Sequence, residues 1–163
     1  CALPISLFAG HASLAWPDDP LLVLWHAQSL LREFRGDGHV AAMTTDGITG
    51  VEALVIHAAT GEVPRRILQA TRGWTDAEWD AAAARLQQRG WLTADGSFTD
   101  AGRAHRQGIE DRTDELALPA YEPLGDEACA RLRALARPLS KTVVGSAAFS
   151  FPDRSPRARA TGG

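Results

Sequence analysis

Apolar positions recur at helical spacing along most of this chain, and glycines, prolines and polar clusters divide the pattern into segments. Residues 1–19 start with an apolar stretch, Cys1 to Phe8, and read as an extended segment with a loop through Gly10 and Pro17. Asp19-Pro20 reads as a helix start, a side-chain cap followed by a proline where no N–H is needed. The helix is predicted from Pro20 to about Arg35. Leu21, Leu24, Leu31 and Phe34, flanked by Leu22, Trp25 and Leu30, cover more than half its circumference, which predicts burial from two sides. The run Arg35-Gly36-Asp37-Gly38-His39 is predicted to break it, because two glycines reach backbone angles closed to other residues. A short helix from His39 to Thr44 is expected next.

Thr49-Gly50-Val51-Glu52 and Thr75-Asp76-Ala77-Glu78 are capping boxes, with Gly61 and Gly90 as matching stops. They bound two helices, with inner stripes Val51, Leu54, Val55, Ala58 and Trp79, Ala82, Ala83, Leu86. Between them Pro64 opens a short helix to Arg72, ended by Gly73. Trp91-Leu92-Thr93, a tight Asp95-Gly96 turn and Ser97-Phe98-Thr99 read as a two-stranded β-hairpin. Thr99 caps a helix to about Leu116. A further helix is predicted from Asp126 to about Val144, with Pro138 expected to kink it. Residues 150–163 hold few apolar positions and are expected to be disordered. The expected division is 1–19 extended, 20–47 buried helix and Gly-rich loop, 48–118 helix-turn-helix with wing, 119–149 packing helix and 150–163 tail.

Leu86-Gln87-Gln88-Arg89-Gly90-Trp91-Leu92, Asp95-Gly96 and Phe98-Thr99-Asp100-Ala101-Gly102-Arg103 resemble the MarR-type pattern of recognition helix, wing turn and closing helix cap. The resemblance implies a mainly α fold, a winged helix-turn-helix with a small two-stranded β-wing and extra N- and C-terminal helices. A wider resemblance runs from about Trp16 to Phe149. Leu24-Trp25-His26-Ala27, the run Leu31 to His39, His57-Ala58-Ala59, Thr71-Arg72-Gly73-Trp74 and Arg137-Pro138-Leu139-Ser140 carry it. They are similar to actinobacterial "helix-turn-helix family" proteins of unassigned function. Members are longer, with a helical region before the point where this chain starts. The resemblance therefore implies a missing half supplied by another chain, and a role in bacterial specialised metabolism. One implied case is a two-chain enzyme that closes aziridine rings by sulfate elimination. MarR-like proteins pair through terminal helices, so a homodimer is the other expected partnership, with Leu132, Leu135 and Leu139 at suitable spacing.

Composition narrows the function. The 163 residues carry a net charge of −3, which argues against a generally basic nucleic-acid binder. Sixteen arginines against the single Lys141 suggest a GC-rich genome, so an arginine here says little by itself. No apolar run approaches the ~20 residues of a membrane span, and no secretory signal is visible, so a cytoplasmic protein is expected. Cys1 and Cys129 make no zinc pattern and no disulfide scaffold. No cofactor motif and no metal site are present in the sequence. The chain opens on Cys1 rather than methionine, as a processed, trimmed or split protein does.

The predicted recognition helix carries Asp76, Glu78 and Asp80 in its first half and no base. Residues 48–112 hold nine acids and eight bases. DNA affinity is dominated by neutralised phosphates, so these carboxylates oppose it. The alternative, a MarR-like DNA-binding transcriptional regulator, rests on Arg65, Arg66, Arg72, Arg103 and Arg106. The candidate chemistry lies on and after the first helix. His39, His26, Glu33 and Asp37 are the candidate acid–base set, with His39 as base and Glu33 and Asp37 orienting it. Arg32 and Arg35, with the backbone N–H groups of Gly36 and Gly38, are the candidate anion site for a small anionic ligand. His57 and His105 read as a capping or packing residue and a solvent-facing one. Most of the five tryptophans read as core.

Overall fold

The computed structural model describes residues 6–146. The chain divides into two compact units, Cys1–Ala120 and Tyr121–Gly163.

Among the described residues, the first unit holds six α-helices. α1 is Leu7–Ala12, α2 Pro20–Thr45, α3 Gly50–Ala59, α4 Arg65–Arg72, α5 Asp76–Gln88 and α6 Asp100–Ala117. A 3₁₀ turn, Leu118–Ala120, follows α6. The caps fall where local chemistry puts them. Asp19 accepts from Leu21 N at 2.8 Å and Leu22 N at 3.2 Å. Thr49 and Thr75 both close complete capping boxes, with Glu52 and Glu78 returning to the cap N–H. Each box satisfies helix-end donors that have no partner within the helix. Gly61 and Gly73 take the left-handed angles that release α3 and α4. The core gathers where α3, α4 and α5 converge, around Val55, Ile56, Leu68, Trp79, Ala82 and Leu86. Ile109 of α6 joins it, and Leu86 and Ile109 are fully buried. This is a helix-turn-helix, with Gly73-Trp74-Thr75 as the turn between α4 and α5.

The structure corrects several expectations. The two-stranded wing is absent, because no strand occurs among the described residues. One isolated antiparallel bridge, Leu92 to Phe98, is all that forms. The reason is local. Cross-turn backbone bonds run from Thr93 N to Ser97 O at 2.9 Å and from Thr99 N to Trp91 O at 3.0 Å. α6 begins directly after Thr99, whose hydroxyl donates to Gly90 O at 2.6 Å and caps Gly102 N at 3.0 Å, so the arm has no room to extend into a strand. Gly102 then lies so close to Trp91 that an added Cβ would sit 2.0 Å from its carbonyl oxygen.

The predicted break at 35–39 is also absent. Residues 36 to 39 continue α2, which runs 26 residues without interruption. Gly38 is used for helix packing, since a Cβ there would meet Leu116 Cβ at 3.0 Å. The extended segment expected at 1–19 contains α1, capped by Ser6. The predicted two-sided burial of α2 fails in its first half, where Leu21 and Trp25 are 72% and 73% exposed. Of the tryptophans, Trp79 is core, while Trp16 and Trp25 are exposed.

The second unit contains α7, Gly125–Gly145, with Pro138 inside it. Leu132, Leu135 and Leu139 are exposed. The expected disorder of residues 150–163 lies outside the described residues.

Candidate functional site

α2 carries most of the predicted chemistry, and its uninterrupted geometry decides where each residue goes. At about 100° per residue, positions 26, 33 and 37 share one side, and positions 32, 35 and 39 lie on the opposite side. The predicted acid–base set therefore does not converge.

The first side packs against α1. Asp37 accepts from Leu7 N at 3.2 Å and Phe8 N at 3.1 Å, so its carboxylate serves the unsatisfied donors of the first turn of α1. Phe8 and Phe34 meet edge to face at 5.1 Å beside it. Glu33 is buried and paired with Arg32, whose side chain is otherwise exposed. His26 is buried under Trp16, with ring centroids 4.8 Å apart and nearly perpendicular. Its Nε2 is sealed from solvent and has no hydrogen-bond partner.

The opposite side of α2 faces α6 across a polar network. Arg35 Nη2 donates to Glu110 at 2.9 Å and to Asp114 at 3.0 Å. Arg106 pairs with the same Glu110. His39 Nδ1 lies 2.9 Å from Thr113 Oγ1, and that hydroxyl donates to Ile109 O at 2.7 Å. The hydroxyl proton is thus committed to the carbonyl, which leaves its oxygen as acceptor for an Nδ1–H. This fixes the neutral His39 tautomer with its lone pair on Nε2. Burial pushes the imidazole below the ordinary histidine value. Glu110 opposes this, and Arg106 and Arg35 reinforce it. Burial likewise raises the Glu110 carboxyl, but Arg106, Arg35 and His39 pull harder and hold it low. The two arginines face two carboxylates, so this network is charge-balanced rather than an open anion seat. Gly36 and Gly38 lie inside the helix, where their N–H groups belong to the helical ladder. The anion nest expected from a loop at those glycines therefore has no loop to form on.

A third cluster was not anticipated. Asp46, at the end of α2, pairs with Arg112 and lies 3.2 Å from His105 Nε2. Arg89 donates to Asp46 O at 2.7 Å. Trp91 stacks on His105 at 3.8 Å and carries the Arg89 guanidinium at 4.2 Å. His105 is half-buried rather than solvent-facing. Burial holds its pKa low, against Asp46 and with Arg112 and Arg89. A motif-based reading had no access to this cluster, because its members come from three separate elements.

At the helix-turn-helix, Arg65 binds Asp76 at 2.9 Å and Asp80 at 2.8 Å, and lies over Trp79 at 5.4 Å. The Asp76 carboxyl is held low by Gln69 and then by Arg65. Thr75 does the same for Glu78. Arg103 is bound to Asp100 at 2.6 Å and to Phe98 O at 2.9 Å. Arg85 is bound to buried Glu52 at 2.8 Å. Arg72 ends α4 and is exposed. Arg66, at the start of α4, is also exposed. Among the described residues no group of three or more metal-ligating side chains gathers. None of their helices is long and apolar enough to cross a membrane.

No curated protein and no solved structure matches the chain. The model of a helix-turn-helix family matches residues 4–150, nearly the whole length, and the chain belongs to that family.

Proposed function

We propose that this chain is a helix-turn-helix subunit that binds a second protein chain and does not read DNA. One observation carries the reading. The first half of α2 exposes Leu21, Leu22 and Trp25 on one side, with Leu14 and Trp16 exposed in the preceding segment. Contiguous exposed apolar side chains of this size mark interaction surfaces on soluble proteins. Tryptophan and leucine in such a patch are the residue types that anchor interfaces.

Electrostatics support the second half of the reading. The exposed start of α5 presents Asp76, Glu78 and Asp80, and Arg65 is already engaged by two of them. The regulator reading draws on the family and on five arginines. Three of these, Arg65, Arg103 and Arg106, are bound to carboxylates of their own chain. Each would have to give up an intramolecular pair to reach a phosphate.

The test is co-expression with the products of adjacent genes, followed by size-exclusion chromatography with light scattering. A stable complex, hetero-oligomeric or homodimeric, is expected for the wild type. It should be lost when Leu21→Glu and Trp25→Glu are combined, with helicity by circular dichroism unchanged. A strictly monomeric chain that binds duplex DNA at low micromolar concentration, in a salt-sensitive manner, would overturn the proposal.

A further inference from the structure

A groove runs between α3, α5 and the turn at residues 93–97, with a volume of about 420 Å³. That is within the range of sites that hold small organic molecules. Its lining mixes polar and apolar surface, and three elements supply the apolar part. Ala58 comes from α3, Ala83 and Ala84 from α5, and Leu92 and Ala94 from the turn. The alanines help make it a depression, because their side chains end at a methyl group. Gln87 ties α5 to the turn by donating to Thr93 O at 3.3 Å, which fixes one wall.

The two ends carry carboxylates in different states. Asp80 is bound by Arg65, whose guanidinium also binds Asp76 and covers Trp79, so the carboxylate at this end is already paired with a base and backed by an aromatic face. Asp95 is held by the Thr93 hydroxyl, by Ser97 N at 3.2 Å and by Ser97 Oγ at 3.3 Å. All three are neutral donors. They orient the carboxylate without cancelling its charge. The groove therefore offers a strip of alanine methyls with, at the Asp95 end, a carboxylate held only by neutral donors.

We propose that this groove binds a small apolar molecule carrying one cationic group, an amine or a guanidine, with the charge at Asp95 and the apolar body on the alanine floor. Charge complementarity selects the cation. An anionic ligand of the same shape meets Asp95 and has no free base at either end. The exposed ion pair contributes orientation more than affinity, and apolar burial supplies most of the binding.

The experiment uses the isotope-labelled full chain and amide NMR, with phenylbutylamine, phenylbutanol and phenylbutyrate as probes. The amine is expected to cause saturable shifts centred on Ala58, Ala84, Ala94 and Gly96. The neutral alcohol should bind about fivefold more weakly and the acid more weakly still. Asp95→Asn keeps the turn's acceptor and should abolish the amine-over-alcohol preference. The proposal is overturned if the amine gives no saturable shifts at these residues. It is equally overturned if all three probes bind alike, or if Asp95→Asn leaves the preference intact.

Discussion

His39 shows what a single residue can and cannot declare in a sequence. Its proximity to charged neighbours was legible, and it does sit in a charged network. Its partners were not legible. Thr113 and Glu110 lie more than seventy residues away, and only the pairing of α2 with α6 brings them together. Glu33 and Asp37, within six residues of it in sequence, lie on the other side of the helix. The shifted histidines have a stability consequence. His39 and His105 both lie below the ordinary value, with burial the larger cause in each. As pH falls, the unfolded chain therefore takes up protons before the folded one. Their contribution is complete above about pH 6.5 and declines as pH falls toward the folded-state values. His39→Gln keeps a donor for Thr113 and removes the titration. Urea unfolding between about pH 7 and 5 should then show a shallower loss of stability than in the wild type. An identical pH dependence would mean that His39 is not desolvated in the folded state.

Elements were most legible where their ends depend on local chemistry. The Thr49–Glu52 and Thr75–Glu78 boxes need only four consecutive residues, and both helices begin where those residues say. At the predicted break, a tertiary contact overrides a local preference. Each glycine inside a helix costs up to about 1 kcal/mol relative to alanine, which made a break at 36–38 the natural expectation. Packing of α2 against α6 holds the helix through both positions. The supposed wing failed for a local reason, because α6 starts directly after Thr99 and leaves the cross-turn pairing no residues to extend it. The three glycines should separate in a substitution series. At Gly36 an added Cβ meets only Glu33 Oε2, at 3.7 Å, so Gly36→Ala should stabilise by about 0.5–1 kcal/mol. Gly38→Ala crowds Leu116 Cβ at 3.0 Å and should fall short of that gain by roughly 1 kcal/mol. Gly102→Ala places its methyl 2.0 Å from the Trp91 carbonyl oxygen, where backbone must move, and should cost about 3 kcal/mol or more. Chemical denaturation of the three variants checks the order. A Gly38→Ala protein as stable as Gly36→Ala would show that the α2–α6 approach does not need the glycine.

At the scale of the whole molecule, a fold associated with DNA carries a surface that opposes it, and charge decides between them. The chain's net charge is −3, and the exposed end of α5 concentrates carboxylates at the place where a helix-turn-helix would need bases. Asp76→Lys with Glu78→Lys changes this end by four charges and also releases Arg65 from one of its two partners. Both positions are exposed, so the fold should survive apart from the loss of the second capping box, worth about 1 kcal/mol. The wild type is expected to leave the anisotropy of a labelled duplex unchanged even at low salt. The reversed variant should bind it without sequence preference, and each new phosphate contact should add about 0.9 to the slope of log affinity against log salt. Binding by the variant alone would show that the scaffold can present a helix to DNA and that its native carboxylates prevent it. Equal binding by both proteins would place the contact elsewhere on the chain and remove the acidic helix from the argument. If neither binds, the obstacle is shape rather than charge, and the absence of a β-ribbon beside α5 becomes the physical reason.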